Sequence, residues 1–590
     1  MKKTLSLILC LVMLMGMLVG CSDLVEGENG ATIDVYLTQA IYDLDPARAY
    51  DDASLMKVIP LIFEGVTRIN AKGKVENALM ESYESYIDPL TGKLVLEITL
   101  GESWWSDGKA VQASDFAFAW KRILDPSSSF GAAVLLYDVE NAYAVKNGEL
   151  SVDEVGISAP ASDTILVVFE NTDTDVKQFL ETLASPALVP VRSNKAVYTD
   201  SWAKQPVSLL TNGPFKIRTL DFDEGFTLER NANYRRDPEL DSPPALDEFV
   251  VPYRISFKFA QGQDLAGLLA ADEIFLIGEL PLENRAAYLK DATLTDTYST
   301  MSLEFNCENA LFQNASVRRA LSLAIDREHI VNNILLMGEA ATGLVPPTVD
   351  YGTSGKSFRQ KSGSLVATKA NVAEAQSLLQ QAGVSGGAFT LSVRNKAEDV
   401  AVANYLASAW GALGFTVTVK PVDATLVTDT KYYDDTFTKL HTTGDFDVML
   451  FDYTALNLTA ASMLAPFATG YSGNGVNMDD PAYPVIEHES GYVSPAYTEI
   501  INRAYAEGDY DDRDAILIEA EKQLLADMPV TPLVFLQESM IVNDNLSGVV
   551  ITPLGTIDFR GATLENWREF NGVVAPQPEE TTPADEGAAE

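Results

Sequence analysis

The 590-residue sequence has only three cysteines, and two of them fall within its first 21 residues. If the chain is cut before Cys21 and Cys21 is modified, Cys307 is the one cysteine left, so no intramolecular disulfide can form. Histidine is equally scarce, with only His329, His441 and His488. No Cys/His cluster has metal-ligand spacing, and we predict neither a metal site nor a cofactor.

Basic residues are also few relative to acidic ones. The sequence contains 42 Lys and Arg against 84 Asp and Glu, for a formal net charge of −42. Such a surface has no basic footprint for nucleic acid or anionic lipid, which excludes both as partners. Hydrophobic residues make up 47% of the chain, so it is globular and not a disordered acidic chain. Its length predicts roughly three to four domains.

The amino-terminal segment carries the one long apolar run of the sequence. Lys2 and Lys3 precede an apolar stretch over residues 5–19, and residues 18–21 read Leu-Val-Gly-Cys. A basic start followed by a short apolar stretch and small residues is typical of an export signal. The four residues ending at Cys21 resemble a bacterial lipobox, in which the cysteine is diacylated. A plain signal peptide or an anchor helix is the alternative.

The two ends of the sequence differ from the rest in composition. We predict a lipoprotein signal peptide over residues 1–20, a short flexible tether over 21–30 and a disordered acidic tail over 573–590. The expected location is extracytoplasmic, with the protein anchored to the cell membrane through a lipidated Cys21.

The folded part mixes strand and helix patterns. Apolar residues alternate over Leu94–Leu100, as in a half-buried strand. A strand over 389–394, a helix over 399–413 and a strand over 415–420 form a βαβ unit, which predicts a parallel or mixed sheet. Residues 446–452 are apolar on both faces, which favours a strand inside that sheet. The predicted fold class is α/β.

Several segments, taken in order, carry a family resemblance. Trp104–Lys109 reads Trp-Trp-Ser-Asp-Gly-Lys, and Ala113–Trp120 reads Ala-Ser-Asp-Phe-Ala-Phe-Ala-Trp. Other segments along the chain add to the resemblance: Leu44-Asp45-Pro46, Thr211–Ile217 (TNGPFKI), Leu228–Tyr234 (LERNANY), Val317–Arg327 (VRRALSLAIDR), Gly343–Pro346 (GLVP) and Ala520–Pro529 (AEKQLLADMP). Together they resemble the bacterial extracellular solute-binding protein family 5, the oligopeptide- and dipeptide-binding family of ABC importers.

The aromatic residues of the first motif have a structural interpretation. We expect a tight Ser-Asp-Gly turn that leads into a helix capped near Ser114, with Trp105, Phe116 and Trp120 in the core. The sequence departs from the family pattern at Arg235, where members usually have Trp. It departs again after Asp452-Tyr453, where Thr-Ala-Leu replaces an Asp/Glu-Pro pair.

The resemblance implies a two-lobed periplasmic-binding-protein-like type II fold with an additional inserted domain. Lobe I maps to residues 31–75, 197–304 and 531–572, the inserted domain to 76–196 and lobe II to 305–530. Lobes of this kind close over a ligand by a hinge motion.

The resemblance also implies a function and a ligand site. It predicts a monomeric, lipid-anchored binding protein that captures peptides in an inter-lobe cleft for the permease and ATPase subunits of an ABC importer. Asp452 is the expected anchor of the peptide α-amine, and main-chain groups of residues 448–450 are expected to pair with the ligand. The predicted ligand-binding residues are Asp452, Tyr453, Leu450, Met449, Val448, Tyr50, Asp51 and Tyr137. The alternative for Asp452 is a strand cap or an ion pair with an arginine.

Other functions remain open from sequence. Within the broad family the alternative ligands are dipeptides, signal peptides, nickel, haem, oligosaccharides and opines, and peptide sensing is an alternative to import. Residues 383–387 fit the G-x-S-x-G pattern of hydrolases. That serine follows a predicted helix and precedes a predicted strand, the reverse of a nucleophile elbow. We therefore predict a binding protein and no enzyme, with a secreted hydrolase as the competing class.

Overall fold

The structure is a computed structural model, and part of the chain is described in it. The described residues are 30–37, 43–50, 53–70, 72–128, 130–193, 202–206, 208–221, 224–235, 248–259, 264–423, 436–455, 458–472 and 488–572. The predicted signal peptide, Cys21, Asp51 and the predicted tail lie outside these ranges.

The strands of the described residues are numbered in chain order. They are β1 (Thr32–Tyr36), β2 (Thr67–Ile69), β3 (Val75–Asn77), β4 (Met80–Ile87), β5 (Leu94–Leu100), β6 (Ile157–Ser158), β7 (Thr164–Val168), β8 (Phe215–Asp221), β9 (Gly225–Arg230), β10 (Arg254–Lys258), β11 (Leu276–Ile277), β12 (Thr293–Phe305), β13 (Glu339–Ala340), β14 (Gly387–Arg394), β15 (Phe415–Val422), β16 (Val448–Thr454), β17 (Val530–Val542), β18 (Leu546–Ser547), β19 (Val550–Ile551), β20 (Ile557–Asp558) and β21 (Thr563–Leu564).

The α-helices follow the same numbering. They are α1 (Ala53–Ile62), α2 (Ala113–Leu124), α3 (Ala142–Lys146), α4 (Val176–Thr182), α5 (Leu265–Ala270), α6 (Leu282–Tyr288), α7 (Ala315–Leu323), α8 (Arg327–His329), α9 (Phe358–Ser362), α10 (Val372–Gln381), α11 (Ala397–Gly411), α12 (Thr436–Thr442), α13 (Ala460–Leu464), α14 (Pro495–Tyr505), α15 (Tyr510–Asp527) and α16 (Trp567–Phe570). None of the described helices is long and apolar enough to cross a membrane.

One large mixed sheet runs through the molecule. Its strand order is β15-β14-β16-β12-β17-β11-β1-β10-β9-β8, with β13 added beside β17, which makes eleven strands among the described residues. The expected βαβ unit is confirmed, since β14 and β15 are parallel and α11 connects them. The strand predicted over 446–452 is β16, and it lies inside the sheet between β14 and β12. The predicted α/β class is confirmed.

The two central strands, β12 and β17, join the two halves of this sheet. One half contains β15, β14 and β16, and the other contains β11, β1, β10, β9 and β8. β12 and β17 are 13 residues each and antiparallel, and their register shifts between Asp296 and Thr300. β12 also pairs with β16 on one half, while the far end of β17 pairs with β11 on the other. Both strands therefore carry the chain from one half of the sheet to the other.

The core has two main parts. One surrounds β14, β16 and the end of β12, where Leu391, Leu406 and Trp410 are fully buried. The other is larger, and it contains the four-stranded sheet β4-β5-β7-β6 together with helix α2. Helices α13, α14 and α15 contribute to this larger core, although the predicted lobe II spans residues 305–530. The domain boundaries stay predictions.

The Trp-Ser-Asp-Gly motif forms core, as expected. Trp105, Phe116 and Trp120 are fully buried. The predicted cap at Ser114 is wrong, because α2 begins at Ala113 and Asp115 accepts hydrogen bonds at its start. The Asp115 carboxylate accepts from the Gln112 backbone N–H at 3.0 Å and from the Trp105 indole N–H at 3.1 Å.

The Thr-Asn-Gly-Pro-Phe motif holds the end of α1 by direct backbone contact. The side chain of Asn212 pairs with the backbone of Glu64 in both directions, at 2.9 and 3.1 Å. The Gly213 N–H donates to the Ile62 carbonyl oxygen at 2.9 Å. A Cβ at Gly213 would lie 2.4 Å from the Ile62 carbonyl carbon and 2.5 Å from the Phe63 nitrogen. This backbone approach explains why glycine occupies the position.

We expect Gly213→Ala to destabilise the protein by about 3 kcal/mol, because backbone atoms would have to move to admit the methyl group. Gly411→Ala is the matched control, since a Cβ there meets nothing within 4 Å at the end of α11. The control should be neutral or gain about 0.5–1 kcal/mol. Denaturant unfolding compares the two variants, and equal stability would contradict the close-approach explanation.

Candidate functional site

A cleft lies against the central strands where the halves of the sheet meet. Its empty volume is about 920 Å³, including the part open to solvent. β12, β16 and β17 contribute one wall with Thr297, Ser299, Met301, Asp452 and residues 536–539. Helices α1, α6 and α11 contribute charged side chains around it. The predicted anchor residue Asp452 therefore lies in a cleft at the crossover strands.

Strand alternation explains why Asp452 reaches this cleft. Val448 and Leu450 lie on the same face of β16 as Asp452, and both are buried against the core that includes α11. Asp452 continues this row at the point where the core ends, and its side chain is only partly buried. Tyr453 points to the opposite face of the strand.

The backbone edge of β16 is paired unevenly. β14 pairs with β16 only at Val448 and Met449, while β12 pairs along its whole length. Among the described residues, β16 from Leu450 to Thr454 thus has a strand partner on one edge only. Strands flank Val448 and Met449 on both edges, and the expected main-chain contact of a ligand with these residues stays a prediction. The open edge begins at Leu450.

The carboxylate of Asp452 makes no hydrogen bond and no ion pair with the residues that the structure describes. Burial raises the pKa of Asp452, the cations Lys396 and Arg394 lower it, and Glu398 raises it. The alternative of a direct ion pair with an arginine is therefore not observed within the described chain. The charge is available to a ligand.

A second carboxylate, Asp399, lines the same cleft. It lies in the first turn of α11 and is 6% exposed. Its pKa is raised to about 7, mainly by burial, with Lys396 opposing the shift and the charge of Asp452 adding to it. Two acids thus lie close enough to repel one another.

Two cations of the cleft are already neutralised by acids. The Lys57 ammonium contacts Glu279 and lies 3.2 Å from Glu538, and these acids raise its pKa despite burial. The Arg285 guanidinium lies 2.8 Å from Glu398, which joins α6 to α11 across the cleft. Its other N–H groups donate to the carbonyl oxygens of residues 280 and 335.

The opposite face of β16 carries a buried polar cluster. The Tyr453 hydroxyl donates to Glu304, and His441 Nε2 lies 3.2 Å from the same carboxylate. His488 Nδ1 lies 3.9 Å from its other oxygen. Although burial would raise it, the two histidines and Tyr453 hold the pKa of Glu304 at about 2. Tyr453 therefore has a partner inside the protein and does not line the cleft.

Tyr50 and Tyr137 do not line the cleft around Asp452. The Tyr50 hydroxyl donates to the Ser462 carbonyl oxygen. Tyr137 is 5% exposed, packs against Tyr143, Tyr471 and Tyr505, and donates to the Gly470 carbonyl oxygen at 3.4 Å. Their roles in ligand binding stay predictions, as do those of Asp51 and Cys21.

Most of the charged residues that line the cleft were not predicted from the sequence. Lys57, Arg285, Asp399 and Glu538 come from segments far apart in the chain and share no local motif. One signal was available: Lys396 and Asp399 directly follow the carboxyl end of β14, where open α/β sheets bind ligands.

The candidate metal and hydrolase residues of the sequence have the following positions in the described part of the chain. No group of three His, Cys, Asp or Glu is placed to hold a metal ion among those residues. Ser385 of the G-x-S-x-G segment is exposed between α10 and β14, so it follows a helix and precedes a strand, as predicted. His329 is exposed on α8.

Comparison with known proteins identifies the family. A family model described as "Bacterial extracellular solute-binding proteins, family 5 Middle" matches residues 74–475. The chain belongs to this family. Its members are solute-binding proteins, and the resemblance seen in the sequence motifs is confirmed.

Curated relatives of this family 5 protein cover nearly its full length. It is 25% identical to the oligopeptide-binding protein OppA of Bacillus subtilis over 583 residues, 95% of this chain and 99% of that protein. It is 25% identical to the dipeptide-binding protein DppE of the same organism, over 88% of this chain and 89% of the relative.

Solved structures show the fold of this family 5 protein. The substrate-binding domain of an oligopeptide ABC transporter from Bacillus anthracis superposes with a TM-score of 0.75 at 22% identity, covering 91% of this chain and 99% of the other. Listeria monocytogenes OppA, solved bound to peptide, has a TM-score of 0.75 at 21% identity over the same shares. The predicted periplasmic-binding-protein-like fold is confirmed.

We expect Glu304→Gln to cost about 3–5 kcal/mol at pH 7, since it breaks a buried charged network. The folded-state pKa of about 2 lies below the usual carboxyl value of about 4.3. The stabilisation is therefore complete above about pH 4.3 and disappears as the pH falls toward 2.

Urea unfolding from pH 7 to pH 3 measures this effect. The difference between wild type and Glu304→Gln should shrink as the pH falls. Glu308→Gln, a change at an exposed acid just beyond the same strand, should track the wild type throughout. A pH-independent gap between wild type and Glu304→Gln would contradict the charge assignment.

Proposed function

We propose that this protein is the substrate-binding component of an ABC importer and captures peptides in the cleft at the crossover strands. Family membership and the names of its relatives, which include oligopeptide- and dipeptide-binding proteins, support this function. The observation that carries it is the Asp452 carboxylate, which faces the cleft without an ion pair among the described residues.

The ligand pose follows from the shared chemistry of peptides. An extended peptide adds its main chain to the open edge of β16 from Leu450 to Thr454, and Asp452 accepts hydrogen bonds from its α-ammonium. A charge-assisted bond of this kind contributes about 1.5–3 kcal/mol. Main-chain and terminal groups are common to all peptides, so this mode admits varied side chains.

The cleft closes between two lobes. We propose lobe I over residues 31–75, 197–304 and 531–572, an inserted domain over 76–196, and lobe II over 305–530. Contacts between these parts support a closed arrangement. The Asp138 carboxylate pairs with Arg513 at 2.6 Å, and Tyr50 bonds to the backbone of Ser462. The hinge then lies in β12 and β17.

In this proposal the protein is a monomer at the extracytoplasmic face of the cell membrane. Lipidation of Cys21 tethers it there, and it delivers peptide to permease subunits that couple to an ATPase. The lipobox-like residues 18–21 and the similarity to binding proteins of ABC importers support this location.

Peptide binding is tested with a random tripeptide library and the same library acetylated at its amino terminus. Equilibrium dialysis followed by mass spectrometry should retain the free-amine library and lose about ten- to hundredfold in affinity on acetylation. Asp452→Asn should abolish that preference. Asp445→Asn, an exposed acid outside the cleft, is the charge-matched control and should behave as wild type. Equal retention of both libraries by the wild type would contradict amine anchoring.

Membrane attachment depends on one side chain in this account. We expect Cys21→Ser to release the protein into the medium or the soluble fraction, because no acyl chain can be attached. Detergent phase partition of wild type and variant measures this, with the folded domain unchanged in both. Partition of Cys21→Ser into the detergent phase would contradict lipid anchoring at this residue.

A further inference from the structure

Asp399 is a buried acid of the cleft to which the proposed peptide site gives no role. The residue is 6% exposed, it lines the same cleft as Asp452, and it has no hydrogen bond or ion pair with the described residues. A buried carboxylate without a partner is costly, and removal of such a charge normally stabilises a protein. A group of this kind inside a ligand cleft calls for a positively charged partner from outside the chain.

The charges around Asp399 favour such a partner. Lys57 is paired with Glu279 and Glu538, and Arg285 is paired with Glu398. That leaves two acids, Asp399 and Asp452, against Lys396, which makes no ion pair with the described residues. Counted over all the charged residues that line it, the cleft has three cations and five acids, and this formal excess of two negative charges favours a cationic group of the ligand.

Helix geometry keeps Asp399 in place. It occupies the first turn of the 15-residue helix α11, where the helix dipole favours a negative charge. Its neighbours Val402 and Leu406 on the same helix are fully buried, so the turn cannot rotate Asp399 away without breaking the core. The side chain is therefore held at the wall of the cleft that Asp452 also lines.

We propose that Asp399 and Asp452 together form a two-carboxylate seat for the ammonium of the ligand, which makes the cleft selective for primary over N-alkylated ammonium groups. The inference rests on the proposed peptide-binding function and adds Asp399 as a specificity residue. A primary ammonium has three N–H donors. It satisfies both carboxylates and keeps one donor for a main-chain carbonyl at the β16 edge. A secondary ammonium has two donors and leaves one of these acceptors without a bond.

The test uses the random tripeptide library in three forms: free amine, N-monomethyl and N-acetyl. Wild type should prefer the free amine over N-monomethyl by about tenfold, the loss of one charge-assisted bond. Asp399→Asn should lose this preference while still rejecting the N-acetyl library through Asp452. Asp445→Asn should keep the wild-type pattern. An Asp399→Asn variant with the wild-type preference would overturn the inference and leave the proposed peptide function intact.

Folding is checked on the same variants. Because Asp399 lies buried beside another acid, Asp399→Asn should unfold at the same temperature as wild type or higher, so weaker binding cannot be ascribed to misfolding. A lower unfolding temperature would mean that Asp399 is satisfied within the protein, which overturns the inference.

A second probe separates this inference from the peptide function. If wild type retains no tripeptide in any form, the peptide proposal fails. Saturation-transfer NMR with n-butylammonium then tests the seat directly. Contact in wild type and in Asp445→Asn, lost in Asp399→Asn and in Asp452→Asn, supports the two-carboxylate seat. No contact in wild type, or equal contact in all four proteins, overturns it.

Discussion

The pairing of two 13-residue strands, β12 and β17, sets the position of every group in the cleft. These strands run through both halves of the large sheet, so the side chains on their open face lie where the halves meet. β16 joins β12 on one side and brings Asp452 to the same face. Helices α1 and α6 approach from one half and α11 from the other. The cleft exists because these strands cross between separate layers of helices.

Charge pairing then determines what the cleft is able to bind. Lys57 and Arg285 are held by acids from three other segments, so they do not neutralise Asp452. Desolvation raises the pKa of both Asp399 and Asp452, and a bound cation would reverse that effect. The opposite face of β16 is different, since Tyr453 and two histidines satisfy Glu304 there. One strand therefore separates a closed structural network from an open binding site.

The sequence predicted those parts whose signal is local. Alternation over Leu94–Leu100 and the strand-helix-strand order around α11 appear in the structure within about two residues, because periodicity reports which face is buried. The cap at Ser114 was misplaced, since Asp115 and the buried Trp105 indole define the helix start through a tertiary contact. Asp452 was found only through the family resemblance. Asp399 and Lys57 were missed because folding alone brings their distant segments together.

The most direct test of the account is a crystal structure of the protein purified without its signal segment, together with whatever ligand it retains. The account predicts an extended peptide along the β16 edge, with its amino-terminal nitrogen about 2.7–2.9 Å from a carboxylate oxygen of Asp452. A ligand bound outside this cleft, or one that places no cationic group at Asp452, would contradict the central claim.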